Sequence, residues 1–478
     1  MFNIRIIACL FFLVDFVNAQ EIIWAPEIKI NPARTGSNIR PRTVFLDRDH
    51  AVVLWGQLVT KRIQYALWEN GKVSNIFTPN LNGLQPFIND WASTELAGRD
   101  NYVYIIFKTD PAESGKIYLM RSEDYGQNFT KPIPIVNPDT FYCRFPGVAV
   151  DNNHQPIVSY MRFNKDWSEP HYVSIRSENF GNDFDSFREL VEPQFGEACD
   201  CCPVAMESDG DRLAVFYRNN RGNVRNMAVA VSDDRGKNFN LHTELDNKDW
   251  VVFSCPSTGG DGFFNDDLLH TCWMSGRVNP PKVFYSGFNL STGKLEQVLS
   301  MDHQKGRGQS QNYPRMAGRK DTVAMVWQET DNSNDIFFTY SIGLPTGLIK
   351  NTIKMNAEQN GNQTHPDVAF HSNKILVSWS DNADGTIRLM EGKFNVSSQT
   401  NHPNKNSSLF TVEQIGKKLK ITTNEPIEFI QVLATDGRRL YYGKETDINL
   451  NINSSEILIL ELKLKNLPLQ HKTISWKG

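Results

Sequence analysis

The 478-residue chain sets 50 Lys and Arg against 54 Asp and Glu, a net charge of −4 with an isoelectric point near 6.2. That balance excludes a bulk polyelectrolyte steered to nucleic acid or to an anionic membrane, while the length allows two or three domains and a large buried core. Aromatics at 11 % together with 31 Gly favour strands and turns over helices.

Residues 1–20, MFNIRIIACLFFLVDFVNAQ, place Arg5 before an apolar segment from Ile6 to Val14 and the small-residue pattern Val17-Asn18-Ala19. This reads as a signal peptide, residues 1–19. No later run approaches the ~20 apolar residues of a membrane span. The mature chain is therefore expected to be secreted or held at the cell surface. Cys143, Cys199, Cys201, Cys202, Cys255 and Cys272 would then face an oxidising compartment that permits disulfides.

From there the chain repeats. Short apolar strands end on an aromatic at Trp55, Phe107, Tyr160, Tyr217, Trp273, Trp327 and Trp379, spaced 52–57 residues apart. Each is followed by a polar loop and a third strand, and most are preceded by a shorter strand that opens with proline: Pro41, Pro146, Pro203, Pro256, Pro314 and Pro366. The second unit has Asp90-Trp91 instead. A fixed period of this length signals a repeat architecture, and four short strands per unit is what a β-propeller blade requires. Proline on the innermost strand costs no ladder bond the sheet would miss. The expected fold is all-β: a seven-bladed β-propeller over residues 20–395, with Glu21–Ile30 positioned to add an outer strand to the last blade.

Three units carry one turn design: Ser122 to Phe129, Ser177 to Phe184 and Ser232 to Phe239, with serines 55 residues apart. Ser and Asp side chains bond the turn's own backbone, Gly supplies positive φ, and the aromatic plugs the gap between blades. This is the Asp-box, S-x-D-x-G-x-x-[FW], with Asn179 for Asp in the middle copy. On these residues the chain resembles the sialidase-like (BNR-repeat) propeller superfamily, where the Asp-box is a structural turn on the face opposite the site.

Residues 396–408 are polar and aperiodic and read as a linker. Short strands resume over 409–478, with a turn at Thr435-Asp436-Gly437-Arg438. This small β-sandwich resembles the C-terminal sorting domain of type IX secretion substrates in Bacteroidetes. It lacks the Gly-Tyr usual before the penultimate strand and has Ser455-Glu456 there. The resemblance implies engagement with secretion machinery; an accessory carbohydrate-binding sandwich fits the same strand pattern.

In such a ring the residue before each opening proline borders the central channel. The positions read in this way are Arg40, Asn89 and Asp90, Arg144, Cys199 to Cys202, Cys255, Tyr313 and His365. Overhanging loops add Arg218, Arg225, Arg277 and Glu329. A mouth rich in Arg, with acids and one Tyr, suits an acidic glycan or glycoconjugate as partner. The sialidase resemblance implies Arg40, Arg144 and Arg218 as a carboxylate clamp, Tyr313 as nucleophile, Glu197 or Glu329 as its partner and Asp90 as acid. Cys143-Arg144-Phe145-Pro146 echoes that family's Arg-Ile-Pro signature, although in the third unit rather than the first. Two alternatives stand beside glycoside hydrolysis. One is a uronate polysaccharide lyase, in which Tyr313 or His365 takes the proton α to a carboxylate that Arg neutralises. The other is a non-catalytic binding propeller.

The cysteines also read two ways. An even count in an exported chain favours disulfides, with Cys255 near Cys272 across one blade and Cys143 within reach of the triplet. No cofactor is then expected. Alternatively Cys199, Cys201 and Cys202, with other thiols or His365, would hold a soft metal such as zinc or copper. Ala198-Cys-Asp-Cys-Cys-Pro203 resembles a motif of a bacterial sialidase-like subgroup.

Overall fold

The structure is a computed structural model. It describes residues 22–394, apart from 34–36, 137–140, 191–195, 303–308, 321, 344, 346 and 358–359, and residues 410–476, apart from 416, 424–425, 435–438, 451, 453–455 and 466–469. The expected signal peptide, the linker 396–408 and the 435–438 turn lie outside these residues. The chain divides into two compact units, Met1–Val396 and Ser397–Gly478. No helix among the described residues is long and apolar enough to cross a membrane.

Among the described residues the first unit holds seven antiparallel sheets of four or five strands. Their first strands in chain order are Asn38–Phe45, Glu95–Arg99, Tyr142–Val150, Ala205–Asp209, Asp261–Asn265, Ser310–Arg319 and Gln363–His371. Each is followed by a second strand buried along nearly its whole length, such as His50–Gln57 and Lys374–Asp381. Such a strand is apolar at consecutive positions because both of its faces meet another sheet. Val52 and Leu54 pack with Val103 and Ile105 of the second sheet, whereas Val53 and Trp55 point the other way, to Leu376 and Ile387 of the seventh. Similar clusters join every successive pair, and the seventh-to-first cluster closes the cycle.

The N-terminal segment completes the seventh sheet. Ile22–Trp24 runs antiparallel to Thr386–Phe394, with Ile22 opposite Phe394 and Trp24 opposite Gly392.

In the first and sixth sheets the tryptophan of the second strand is tied by its indole to a polar pair facing across the first two strands, and the seventh has such a pair without the indole bond. Trp55 Nε1 donates to Asn38 Oδ1 at 2.8 Å, and Gln57 Nε2 donates to the same oxygen at 3.1 Å. In the sixth sheet Trp327 Nε1 and Gln311 Nε2 donate to Glu329 Oε2 at 3.4 and 2.9 Å. In the seventh, Gln363 Nε2 donates to Asp381 Oδ1 at 3.2 Å. A buried polar pair of this kind is stable because its members satisfy one another.

The three Asp-box turns share their bonds. Ser122 Oγ accepts from Gly126 N at 2.9 Å and donates to Asp124 Oδ1 at 2.7 Å; Ser177 and Ser232 do the same with Asn179 and Asp234. Burial disfavours the Asp124 carboxylate, but bonds from Asn128 and Ser122 outweigh it and hold the group below the usual range. Phe129, Phe184 and Phe239 each pack into the core between their own sheet and the preceding one.

The second unit has a three-stranded sheet, Phe410–Ile415, Lys418–Thr423 and Asp447–Asn449, and a four-stranded one, Arg439–Gly443, Ile427–Ala434, Glu456–Leu464 and Gln470–Trp476. Leu419 and Ile421 of the first share a core with Ile430, Leu460 and Trp476 of the second.

Candidate functional site

The first strands of all seven sheets line one cavity of about 420 Å³. Two arginines that line it, Arg42 and Arg315, are paired with carboxylates. Arg42 grips Glu95 twice, Nε to Oε2 at 2.5 Å and Nη2 to Oε1 at 2.9 Å. Arg315 Nε lies 2.8 Å from Asp367 Oδ1 and 3.7 Å from Asp261 Oδ2. Forked contacts of this sort fix both partners in orientation. Burial pushes the Glu207 carboxyl up to about 8, the Asp261 charge adds to the rise, and Arg99 offsets part of it. Glu207 is therefore mostly protonated at neutral pH.

Next to this cavity the first strands are bulged. Register shifts fall at Ile39/Arg42, Arg144/Gly147, Asn312/Arg315 and Thr364/Asp367. Within each bulge the residue before proline has positive φ: 52° at Arg40, 50° at Phe145, 50° at Tyr313 and 51° at His365. A residue before proline is ordinarily extended, and a bulky side chain at positive φ is strained by about 1–3 kcal/mol. A bulge re-aims side chains at a sheet edge. In the third sheet the residue so placed is Phe145, whereas the sequence reading placed Arg144 there, one residue early.

Arg40, Tyr313 and His365 converge. The Tyr313 and His365 rings are 4.5 Å apart between centroids, and Arg40 Cζ is 5.9 Å from the Tyr313 ring. With Arg42, Arg315 and Pro203 they border a hollow of about 30 Å³, roughly the volume of one water in the liquid. Arg40 Nη1 donates to the Asp90 carbonyl at 3.0 Å. Arg40 Nε is buried without a hydrogen-bond partner, and His365, only 8 % exposed, has the Asp90 carbonyl as the near acceptor for its ring but makes no hydrogen bond of ordinary geometry. Burial, then the Arg40 and Arg42 charges, drive the His365 pKa well below its ordinary value, against a weaker pull from the Asp90 carbonyl. Burial also lowers Arg40 to about 10, so it stays cationic at neutrality. Tyr313 is raised by burial, with the Arg40 charge opposing. The hollow thus presents a neutral imidazole, a neutral phenol and a guanidinium.

The remaining predicted residues separate from this cluster in role. Arg218 is fully buried and donates to the carbonyls of Arg225 at 2.8 Å and Met274 at 2.9 Å, which makes it a structural brace rather than an arm of a clamp. Arg144 lies with its guanidinium 4.2 Å from the Trp167 ring, itself stacked on Tyr142 at 4.5 Å. Arg277 lies 3.9 Å from the Phe284 ring and donates to Asn247 Oδ1. The Glu329 carboxylate serves the Trp327 and Gln311 pair described above. Glu197 is exposed on the short strand Glu197–Ala198, and Asp90 is exposed beside its engaged carbonyl. The arginines that border the hollow with Arg40 are Arg42 and Arg315. Sequence reasoning missed both, although each directly follows a bulge proline, as does Asp367.

The cysteines depart from the expected pairing. Cys143, Cys199, Cys201, Cys202, Cys255 and Cys272 are free thiols. Cys272 stands opposite Asp261 across the strands and is buried, so Cys255 is not its neighbour in register. Cys143 turns into the core with Val148 and Tyr160, its Sγ 3.6 Å from the Gly115 carbonyl. Cys199, Cys201 and Cys202 do converge, and Asp200, Cys201 and Cys255 form an adjoining trio. His365 belongs to neither group.

No family model matches the sequence, and no curated protein matches it. Solved structures similar to the chain include a Dyadobacter fermentans protein of unknown function, 12 % identical over 78 % of this chain and 99 % of that one, with a TM-score of 0.47. The Hadza microbial sialidase Hz136 is 12 % identical over 75 % of this chain and 66 % of that one, with a TM-score of 0.44. A PL25 ulvan lyase bound to a GlcA-Rha3S ligand is 9 % identical over 76 % of this chain and 95 % of that one, with a TM-score of 0.49.

Proposed function

We propose that the first unit is a seven-bladed propeller, that the second is a β-sandwich serving sorting or attachment of an exported protein, and that the propeller binds an acidic glycan at the Arg40–Tyr313–His365 hollow and cleaves it by β-elimination. One observation carries the activity: a neutral, buried histidine whose ring meets that of a tyrosine, near an arginine whose buried Nε is unpaired. A buried polar atom left without a partner calls for an explanation, and a bound carboxylate would supply one for Arg40 Nε.

The hollow fits a carboxylate rather than a sugar ring, which leaves the ring at its mouth. Arg40 neutralises the uronate carboxylate and so acidifies the proton on the adjacent carbon. His365 removes that proton, the glycosidic C–O bond breaks, a C=C bond forms, and Tyr313 protonates the departing oxygen. His365, beside the Tyr313 ring, returns its proton to the phenolate, so one proton moves in total from carbon to oxygen. A second reading is hydrolysis with Tyr313 as nucleophile, which the Asp90 charge opposes by raising the Tyr313 pKa. The products distinguish the two, because only elimination yields an unsaturated uronate with ultraviolet absorbance.

The test is a screen of uronate polymers and sialyl glycans by absorbance and mass spectrometry. Elimination on a uronate polymer is expected, with His365→Gln and Tyr313→Phe each slowing it by about 10² to 10⁴-fold. Neither turnover nor binding on either glycan class would end the proposal.

A further inference from the structure

The innermost edge of the fourth sheet is interrupted. Glu197–Ala198 pairs with Asn219 and Asn220, and the edge resumes only at Ala205–Asp209. The turn between them is fixed at three points. Cys199 N donates to the Arg218 carbonyl at 2.8 Å, Cys202 N to the Cys199 carbonyl at 3.2 Å, and Tyr172 Oη to the Cys202 carbonyl at 2.7 Å. The three sulfurs of this turn face one another. Cys199 Sγ is 3.3 Å from Cys202 Sγ and 3.6 Å from Cys201 Sγ, and all three lie within 4.8 Å of each other.

We propose that Cys199, Cys201 and Cys202 form a three-sulfur site for a thiophilic d¹⁰ cation, Zn(II) or Cu(I). The arrangement is threefold rather than pairwise: Cys199 approaches both neighbours almost equally, and a bridge between any two sulfurs leaves the third over. Cys143 and Cys272, the partners a disulfide scheme would have used, are buried elsewhere. Metal–sulfur bonds of about 2.3 Å require sulfurs spaced a few tenths of an ångström wider than these, a small adjustment for a turn. Cys199 and Cys202 are fully buried while Cys201 is partly exposed, so the site is shielded yet has an entry.

Cationic side chains border the sulfurs. Arg225 Nη1 is 3.2 Å from Cys199 Sγ and 3.7 Å from Cys201 Sγ, and the same nitrogen is 3.8 Å from Asp200 Oδ1. Arg218 and Arg144 add positive charge nearby. Thiolate is the ligand form, and cations beside a cysteine favour it. Binding releases the thiol protons, and the guanidinium charges offset the net negative charge of three thiolates around one cation. Soft sulfur donors select Zn(II) and Cu(I) over Mg(II) or Ca(II). Asp200 and Cys255, grouped with Cys201, stand where a fourth Zn(II) ligand would come from.

This inference is independent of the glycan reading, and so is its test. The full-length protein is reduced anaerobically, offered Zn(II) or Cu(I) in separate arms, dialysed and analysed by elemental mass spectrometry, with competition against a chromophoric chelator for affinity. About one ion per chain is expected in one arm, and Cys201→Ser should weaken it by at least about tenfold. Cys272→Ser should leave it unchanged. Because Cys201 is not in the core, its variant should fold, which circular dichroism checks. Less than a tenth of an equivalent in both arms, or undiminished binding by Cys201→Ser, would overturn the site. So would intact-mass analysis of the exported protein showing Cys199–Cys202 and Cys201–Cys255 bridges.

Discussion

His365 owes its chemistry to where it is held, and its titration gives a prediction with a definite sign. Burial and two arginine charges depress its pKa, so the base form persists below the ordinary histidine value of about 6.5. If His365 is the base, kcat/KM should stay flat as pH falls through about 6.5 and decline only lower down; an acid limb centred near 6.5 would sink the assignment. Stability moves the other way from a benefit. His270 is lowered to about 4 by burial, so between about pH 6.5 and that value the unfolded chain binds more protons and stability falls as pH falls. Urea midpoints should therefore be lower at pH 5.5 than at pH 7.5, and the drop should be shallower in His270→Gln. Glu329 gives a contrasting case. Glu329→Ala leaves two buried donors unsatisfied and should cost about 2–4 kcal/mol in urea unfolding, while rate per folded molecule is retained. A loss of activity with unchanged stability would return Glu329 to the chemistry. Tyr313, His365 and Arg40 were legible because proline marks the position before it. Glu329 was not, because only strand register reveals that it faces Gln311.

Among the elements, the Asp-box turns were fully legible, since their bonds are local and the motif states them. Their glycines carry a demand the motif leaves implicit. Gly181 has φ of 82°, and a Cβ there would lie 2.4 Å from Leu119 Cδ2 of the neighbouring sheet. Gly222 has φ of 63° but open space around it. Gly222→Ala should then cost only the left-handed strain, about 1–2 kcal/mol. Gly181→Ala should cost that plus overpacking of about 1–3 kcal/mol. Equal losses in thermal or urea unfolding would mean that the turn does not wedge against the preceding sheet. The broken edge at Cys199–Val204 was legible only as odd composition. Which sulfurs meet depends on turn geometry, and the proposed Cys143 and Cys272 pairings failed because the register that places Asp261 opposite Cys272 cannot be counted from spacing alone.

For the molecule as a whole, the 52–57 residue period was legible as a repeat, whereas the charge pairs lining the cavity were hidden, because Arg42 and Glu95 meet only when the first strands of the first two sheets stand side by side. Closure itself is testable. Holding ends some 370 residues apart, Ile22 beside Phe394, costs about 5 kcal/mol of chain entropy by loop-length scaling. Two sets of contacts offset it: the core between the seventh and first sheets, and the Ile22–Trp24 strand. Ile22 is buried among sixth- and seventh-sheet residues, and Trp24 meets Phe338 of the sixth sheet edge-on at 5.0 Å. Removing both side chains, Ile22→Ala with Trp24→Ala, should lower stability by about 3–6 kcal/mol. The loss should also be polar in the ring. Hydrogen exchange should show amides of Thr386–Phe394 and Lys374–Asp381 opening first, while the second to fourth sheets keep their protection until global unfolding. Exchange that accelerates evenly in all seven sheets would mean the cycle is held by its inner cores alone, with the N-terminal strand an accessory.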